Sequence, residues 1–211
     1  MVPTKEEMYI ALAKRHGSDL QNKLSAVSVA VCGLGGLGSN VAIALARAGV
    51  GSLHLIDFDK VDLANLNRQQ YAVSQLGMYK TDAMRHIISE IAPYCNVKTD
   101  TVRLTEENIS TILSEADIIC ECFDNAESKA TIVNTVTENL TQKYIVSASG
   151  MSGLHSSNTI QTRKITSHFY LCGDMESSVE ADGTLFASRV MLCAAHQANM
   201  VLRIIAGKFE V

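Results

Sequence analysis

Residues 26–59 constrain the fold more than any other stretch. AVSVAVCG (26–33) is a short β-branched apolar run ending in glycine, and LGSNVAIALARAGV (37–50) continues with small and apolar residues at helical spacing. Between them Gly33-Leu34-Gly35-Gly36-Leu37-Gly38 satisfies the G-x-G-x-x-G pattern. Strand, glycine turn and helix in that order hold a phosphate group at a helix N-terminus. SLHLIDFD (52–59) reads as a second buried strand, and Asp57 lies at the distance expected of an acid that binds a ribose hydroxyl. Read alone, this is half of an NAD site. A glycine turn cradles any phosphate, however, so the triphosphate of ATP remains open, as does a purely structural use of the glycines in tight helix–sheet packing.

The rest of the chain repeats the alternation. Residues 4–25 read as one or two short helices. After an irregular stretch from Val61 to Tyr79, TDAMRHIISEIAP (81–93) is a helix stopped by Pro93, and NVKTDTVRL (96–104) alternates as a strand. TEENISTILSEA (105–116) starts with a Thr-x-x-Asn cap and continues as a helix; ADIICECFDN (116–125) is a strand, AESKATIVNTVTENL (126–140) a helix and KYIVSASG (143–150) a strand. The order predicts an α/β fold: a Rossmann-like, mostly parallel sheet with helices on both faces. In the C-terminal third LHSSNTIQTRKI (154–165) alternates without a crossover helix before it, so antiparallel strands are expected to extend the sheet. GDMESSVEADGT (173–184) is acidic and aperiodic and reads as a mobile loop, and residues 185–207 as a long buried helix. At 211 residues the expectation is an N-terminal helical segment, 1–25, packing on the domain or on a dimer mate, ahead of a single domain, 26–211.

Composition excludes several classes. A net charge of −4 and a pI near 5.8 make nucleic acid an unlikely partner. The N-terminus has no apolar h-region, and no apolar run reaches the roughly 18–20 residues of a membrane span, so a cytoplasmic location without membrane contact is expected. Six cysteines occur without a Cys-x-x-Cys, which argues against a four-thiolate zinc site.

The segment DFDKVDLANLNRQQYAVSQLGMYK (57–80) separates the two phosphate readings. A dehydrogenase has no reason to follow its ribose acid with Asn65, Arg68 and Gln69 in an irregular segment and then place Lys80 at a helix start. An enzyme that brings a carboxylate to a triphosphate does, because two anions meet and fixed donors must offset their repulsion. Arg68 offers forked donors and Lys80 a point charge. Asp124, in Cys122-Phe123-Asp124-Asn125 at a strand's C-terminal end, suits a magnesium ion that bridges phosphates. The alternative for Asp124-Asn125 is a helix N-cap.

Together the glycine turn, the Asp-x-Asp strand end, Asn-Leu-Asn-Arg-Gln, the lysine and the Cys-x-Asp-Asn strand resemble the ThiF/MoeB/HesA family, relatives of the ubiquitin-activating enzymes. The likeness runs from about residue 15 to 207. Arg-His-Gly at 15–17, FYLCGD at 169–174 and SRVMLCAAHQANMVLRIIAG at 188–207 place it near the short, zinc-less ThiF-like type. The resemblance implies Mg-ATP as cofactor and adenylation of the C-terminal glycine carboxylate of a small β-grasp, ThiS-like sulfur carrier with a Gly-Gly end, by a homodimer. It implies ATP binding by Gly33, Gly35, Gly36, Gly38, Asp57, Asp59, Asn65, Arg68, Gln69, Lys80 and Asn125, catalysis by Arg68, Lys80, Asp124 and Arg15, and magnesium at Asp124. Arg15 would reach the ATP of the dimer mate, or else be a solvated helix-end residue.

Two departures qualify the likeness. Longer members carry two Cys-x-x-Cys zinc pairs, absent here, so no structural zinc is expected. Some carry a loop cysteine that links covalently to the carrier; the equivalent loop here has none, and Cys172 reads as a loop or core cysteine in preference to a sulfur relay. Glu176, Glu180 and Asp182 in the acidic segment suit a carrier with a basic rim or simple solvation. An NAD-dependent oxidoreductase, a molybdopterin-type carrier and an RNA-directed relative stay as alternatives.

Overall fold

The computed structural model describes residues 2–211. The elements follow the order α1 (Lys5–His16), α2 (Ser18–Ala26), β1 (Ser28–Cys32), α3 (Gly36–Ala48), β2 (Ser52–Ile56), α4 (Lys80–Ile91), β3 (Asn96–Asp100) and α5 (Glu106–Ile112). Then come β4 (Ile118–Glu121), α6 (Ala126–Asn139), β5 (Tyr144–Ala148), β6 (Gln161–Lys164), β7 (Phe169–Gly173), α7 (Val179–Asp182) and α8 (Ala187–Ile205). Seven strands form one sheet in the order β3-β2-β1-β4-β5-β7-β6. Every neighbouring pair is parallel except β6 with β7. The C-terminal third therefore extends the sheet as expected: β7 continues the parallel set beside β5, and β6 turns back on it. The Rossmann-like α/β architecture read from the sequence is present.

Alternation in β1 divides the core. Val29 and Val31 join a cluster with α3, α4 and α8, whereas Ala30 and Cys32 face Ile109, Leu113, Ile132 and Val136 of the α5–α6 layer. A strand points successive side chains to opposite faces, so a fully apolar strand requires helices on both. The sheet order reverses between β1 and β4, and the loops leaving their C-terminal ends diverge there to open a crevice.

The N-terminal segment is two helices with different roles. Buried Leu24 and Gln21 dock α2; Gln21 donates to the Gly49 carbonyl and the Gly51 amide donates to the Leu24 carbonyl. No residue of α1 is buried, and it is tied down by Tyr9 to Asn22 and by Tyr94 to the Pro3 carbonyl.

The segment 173–184 departs from its reading as a mobile loop. It closes β7, then folds into α7 with Ser178 capping the Ala181 amide. Asp174 is buried and paired with Arg189 of α8. Aperiodicity in the sequence reflected local turns held by side chains far away in the chain. Cys172 lies in the core, fully buried, and burial pushes its thiol up to about 11.

Gly38 sits where a Cβ would lie 1.8 Å from the Gly33 carbonyl oxygen, so only hydrogen lets α3 meet the turn that precedes it. Gly38→Ala is expected to lower the unfolding free energy by about 3 kcal/mol in urea denaturation. Gly77→Ala, at positive φ but in open space, should cost only about 1 kcal/mol.

Candidate functional site

A cavity of about 380 Å³ occupies the crevice at the carboxyl ends of the strands. Its floor is the glycine turn. Gly33, at φ +90, donates its amide to the Ile56 carbonyl at 2.8 Å, which draws the turn against β2. Gly35 precedes α3 as its N-cap, and the first-turn amides of that helix point into the cavity without intrahelical partners. A Cβ on Gly36 would fall 2.9 Å from Val190 Cγ1 and 3.3 Å from Arg68 Cγ. The bare backbone there lets Val190 and Arg68 close onto the turn.

Asp57 follows β2 and is 8% exposed. The Leu34 and Asp59 amides donate to its two oxygens at 2.6 and 2.7 Å. Burial raises its pKa, and Lys80 and the two amides offset only part of that. Each oxygen keeps a second lone pair for a hydroxyl. Lys80, the first residue of α4, is buried and pairs with Asp59 at 2.9 Å. Asp59 thus serves as the partner of Lys80.

The irregular segment is docked through its side chains. The Gln70 amide donates to Ser39, Gln70 Nε2 to Asn40, and the Tyr71 hydroxyl to the Leu34 carbonyl. These bonds pin residues 68–71 along the start of α3. Arg68 then spreads over the glycine turn, donating to the side-chain Oδ1 of Asn65 at 3.2 Å and of Asn67 at 3.0 Å. Both acceptors are neutral, so the charge is uncompensated. Gln69 is buried, and its Oε1 has no hydrogen-bond partner.

Across the cavity, the β4–α6 turn carries Asp124 and Asn125. Asn125 is the N-cap, accepting from the Ser128 amide at 2.8 Å, while the Asp124 side chain is exposed and has no partner. The cap alternative holds for Asn125 and leaves Asp124 free. Among the described residues no group of three His, Cys, Asp or Glu side chains gathers to hold a metal. A cation at Asp124 would therefore have to take most of its ligands from a phosphate or water, which fits magnesium with a nucleotide.

Of the residues singled out in the sequence, the cavity brings together Gly33, Gly35, Gly36, Asp57, Asp59, Asn65, Arg68, Gln69, Lys80, Asp124 and Asn125. Gly38 lies behind it as packing, and Arg15 is exposed at the end of α1, off the cavity. Sequence reasoning missed four groups. Arg103 stands 5.3 Å over the Phe58 ring at one rim. Lys129 reaches the cavity from α6 and binds Glu121 beneath it. Ser149–Ser152 and Ser177–Val179 line the far wall, beside Glu180, which the sequence had marked for a carrier rim or solvation. Arg189 clamps that wall from behind, donating to the His155 and Ser156 carbonyls and to Asp174 at 2.5 Å. Only Lys129, one turn after an N-cap, left a local signal.

The sequence model of the ThiF family matches residues 9–211. This chain belongs to the ThiF family. Over 110 residues it is 41% identical to the molybdopterin-synthase adenylyltransferase of Haemophilus influenzae, covering 52% of this chain and 45% of that protein. Over 132 residues it is 38% identical to the adenylyltransferase and sulfurtransferase UBA4 of Eremothecium gossypii, covering 62% of this chain and 29% of that protein. The chain thus spans less than half the length of these curated relatives. E. coli tRNA N6-threonylcarbamoyladenosine dehydratase in complex with ATP shares the fold at a TM-score of 0.85 and 22% identity, over 99% of this chain and 98% of that one. E. coli MccB with ATP does so at 0.67 and 23%, over 90% and 59%. Among the described residues no helix is long and apolar enough to cross a membrane.

The clamp behind the far wall has a measurable worth. Burial alone would raise the Asp174 pKa, but the Ser177 and Glu176 amides, the Ser177 hydroxyl and Arg189 outweigh it and hold the carboxyl below its usual range. Asp174→Asn, which strands Arg189, should destabilise the fold by about 3–5 kcal/mol, and Asp174→Asn with Arg189→Met should recover most of that. A lowered folded pKa gives stability that is present above the ordinary carboxylate pKa and lost on acidification. Thermal melts should therefore show wild type losing its advantage over the double variant below about pH 4.

Proposed function

We propose that this chain is an ATP-dependent adenylyltransferase that activates the C-terminal carboxylate of a ThiS-like sulfur carrier as an acyl adenylate, releasing pyrophosphate. One observation carries the reading: a single cavity leaves both Arg68 and Asp124 uncompensated, on either side of a helix N-terminus. Unpaired charges of opposite sign around a glycine turn fit a polyphosphate that arrives with its own cation. A nicotinamide dinucleotide would need neither. The family membership and the adenylyltransferase names of the two curated relatives support the same reading.

In this reading Asp57 holds the ribose, and the α3 amides with Gly36 receive the phosphates. Arg68 and Lys80 stabilise charge as a carboxylate oxygen bonds to the α-phosphorus and the bond to pyrophosphate breaks. Asp124 and Asn65 lie on the metal and triphosphate side, where magnesium supplies neutralising charge. Gln69 offers its unpartnered amide oxygen to a ligand donor. The far wall, with Gly150 among four serines, suits an extended Gly-Gly tail.

Carrier-dependent exchange of labelled pyrophosphate into ATP tests this. Lys80→Ala and Arg68→Ala should each lower kcat by about a hundredfold or more, with the fold retained. Exchange that persists undiminished would sink the assignments. ATP binding without exchange when any Gly-Gly carrier is supplied, but with turnover on a modified tRNA, would favour the RNA-directed alternative.

The exposed Arg15, off its own cavity, fits a homodimer in which it serves the neighbouring site. Mixing Arg15→Ala subunits with Lys80→Ala subunits should then restore about a quarter of wild-type exchange, because half the dimers are mixed and each regains one site. Full exchange by Arg15→Ala subunits alone would place Arg15 outside catalysis, and loss without recovery on mixing would place it in its own subunit's site.

A further inference from the structure

Glu121 ends β4 with its carboxylate completely buried, directly under the rim that carries Asp124. A buried carboxylate is costly unless paired and hydrogen-bonded. Here it is both. Lys129 Nζ donates to Oε1 and Oε2 at 3.0 Å each and gives its remaining proton to the Ala148 carbonyl at 2.7 Å. The Ser147 hydroxyl donates to Oε2, and the Phe123 amide to Oε1 at 2.7 Å. From α8, Gln197 ties the Glu121 carbonyl to that of Val146.

This network has two consequences for the site. Lys129 lines the cavity, yet all three ammonium protons are committed, so it has none to offer an incoming phosphate. The Phe123 bond, in turn, fixes the Cys122–Phe123 peptide, one residue before Asp124. With Cys122 bonded to the Cys32 carbonyl and Asn125 capping α6, the backbone is held on both sides of a carboxylate that has no partner of its own.

We propose that Glu121 is a positioning residue: its buried side-chain acceptor, kept satisfied by Lys129, sets the Cys122–Asn125 turn through the Phe123 amide and so aims Asp124 at the metal side of the nucleotide. This rests on the reading of Asp124 given above. The free carboxylate cannot orient itself, and the Glu121 to Phe123 bond is the tether closest to it. The ion pair keeps the carboxylate satisfied in the core, and the acceptor it holds under Phe123 does the positioning.

The test uses Mn²⁺ as probe, titrated by electron paramagnetic resonance into the protein with the non-hydrolysable β,γ-imido analogue of ATP. Glu121→Met with Lys129→Met removes both charges and the acceptor for Phe123. It should weaken Mn²⁺ binding about tenfold, the effect of one lost charge-assisted hydrogen bond, and leave metal-free nucleotide affinity unchanged. Glu121→Gln with Lys129→Met also removes both charges but keeps an acceptor for the Phe123 amide, and should retain wild-type Mn²⁺ affinity within about twofold. Equal Mn²⁺ affinity in wild type and the double methionine variant overturns the proposal. So does equal weakening in the two double variants, which would assign the pair to packing alone. Should the double methionine variant not fold, Glu121→Asp retracts the acceptor and keeps the charge, and wild-type Mn²⁺ affinity there is equally decisive. Asp124→Ala separates the two readings: unchanged Mn²⁺ binding in that variant removes the metal role of Asp124 itself.

Discussion

The contact between Gly33 and Gly38 is the constraint on which the rest of this structure depends. Because neither residue carries a side chain, the carbonyl of the turn can lie where the helix would otherwise present a Cβ, and α3 starts directly against the end of β1. That places the helix N-terminus in the crevice between β1 and β4, where the sheet reverses. Every polar group of the cavity is then arranged around it. Residues 68–71 lie along the beginning of α3, Asp57 binds the Leu34 amide, and the β4–α6 turn packs against Gly33.

Charge in the site is divided between groups that support the structure and groups left available. Lys80 with Asp59, Lys129 with Glu121 and Arg189 with Asp174 are paired, and each pair ties two segments of the chain together. Arg68 and Asp124 are not paired with an opposite charge. Lys129 and Arg189 stiffen the walls, while Arg68, Asp124 and Lys80, whose ammonium is bonded only to Asp59, are what a charged ligand would meet. A site built this way can hold opposite charges a short distance apart without letting them collapse onto each other, because their neighbours are already fixed.

Much of this was legible in the sequence. The β-branched runs, the glycines and Pro93 marked the alternation of strands and helices, and the structure has each of them. The singled-out residues that line the cavity were legible because they lie in three stretches, the glycine turn, residues 57–80 and Cys122–Asn125. The acidic segment was not legible. Its composition resembles a solvated loop, and the Asp174 to Arg189 pair that orders it joins residues on two different elements with no periodic relation. Likewise Glu121 sits in an apolar strand where a lone acid reads as an end-of-strand residue, and nothing local showed that Lys129 and Ser147 converge on it.

The amino-acid order by itself determined the α/β alternation, the glycine turn and the side-chain chemistry available near it, because backbone propensity, hydrophobic period and short-range turns are local properties. Tertiary structure alone decided which charges are spent and which remain free. Whether a lysine is an ion-pair partner or a ligand depends on what the fold brings within about 3 Å of it, and that distance is set by packing between segments the sequence keeps far apart.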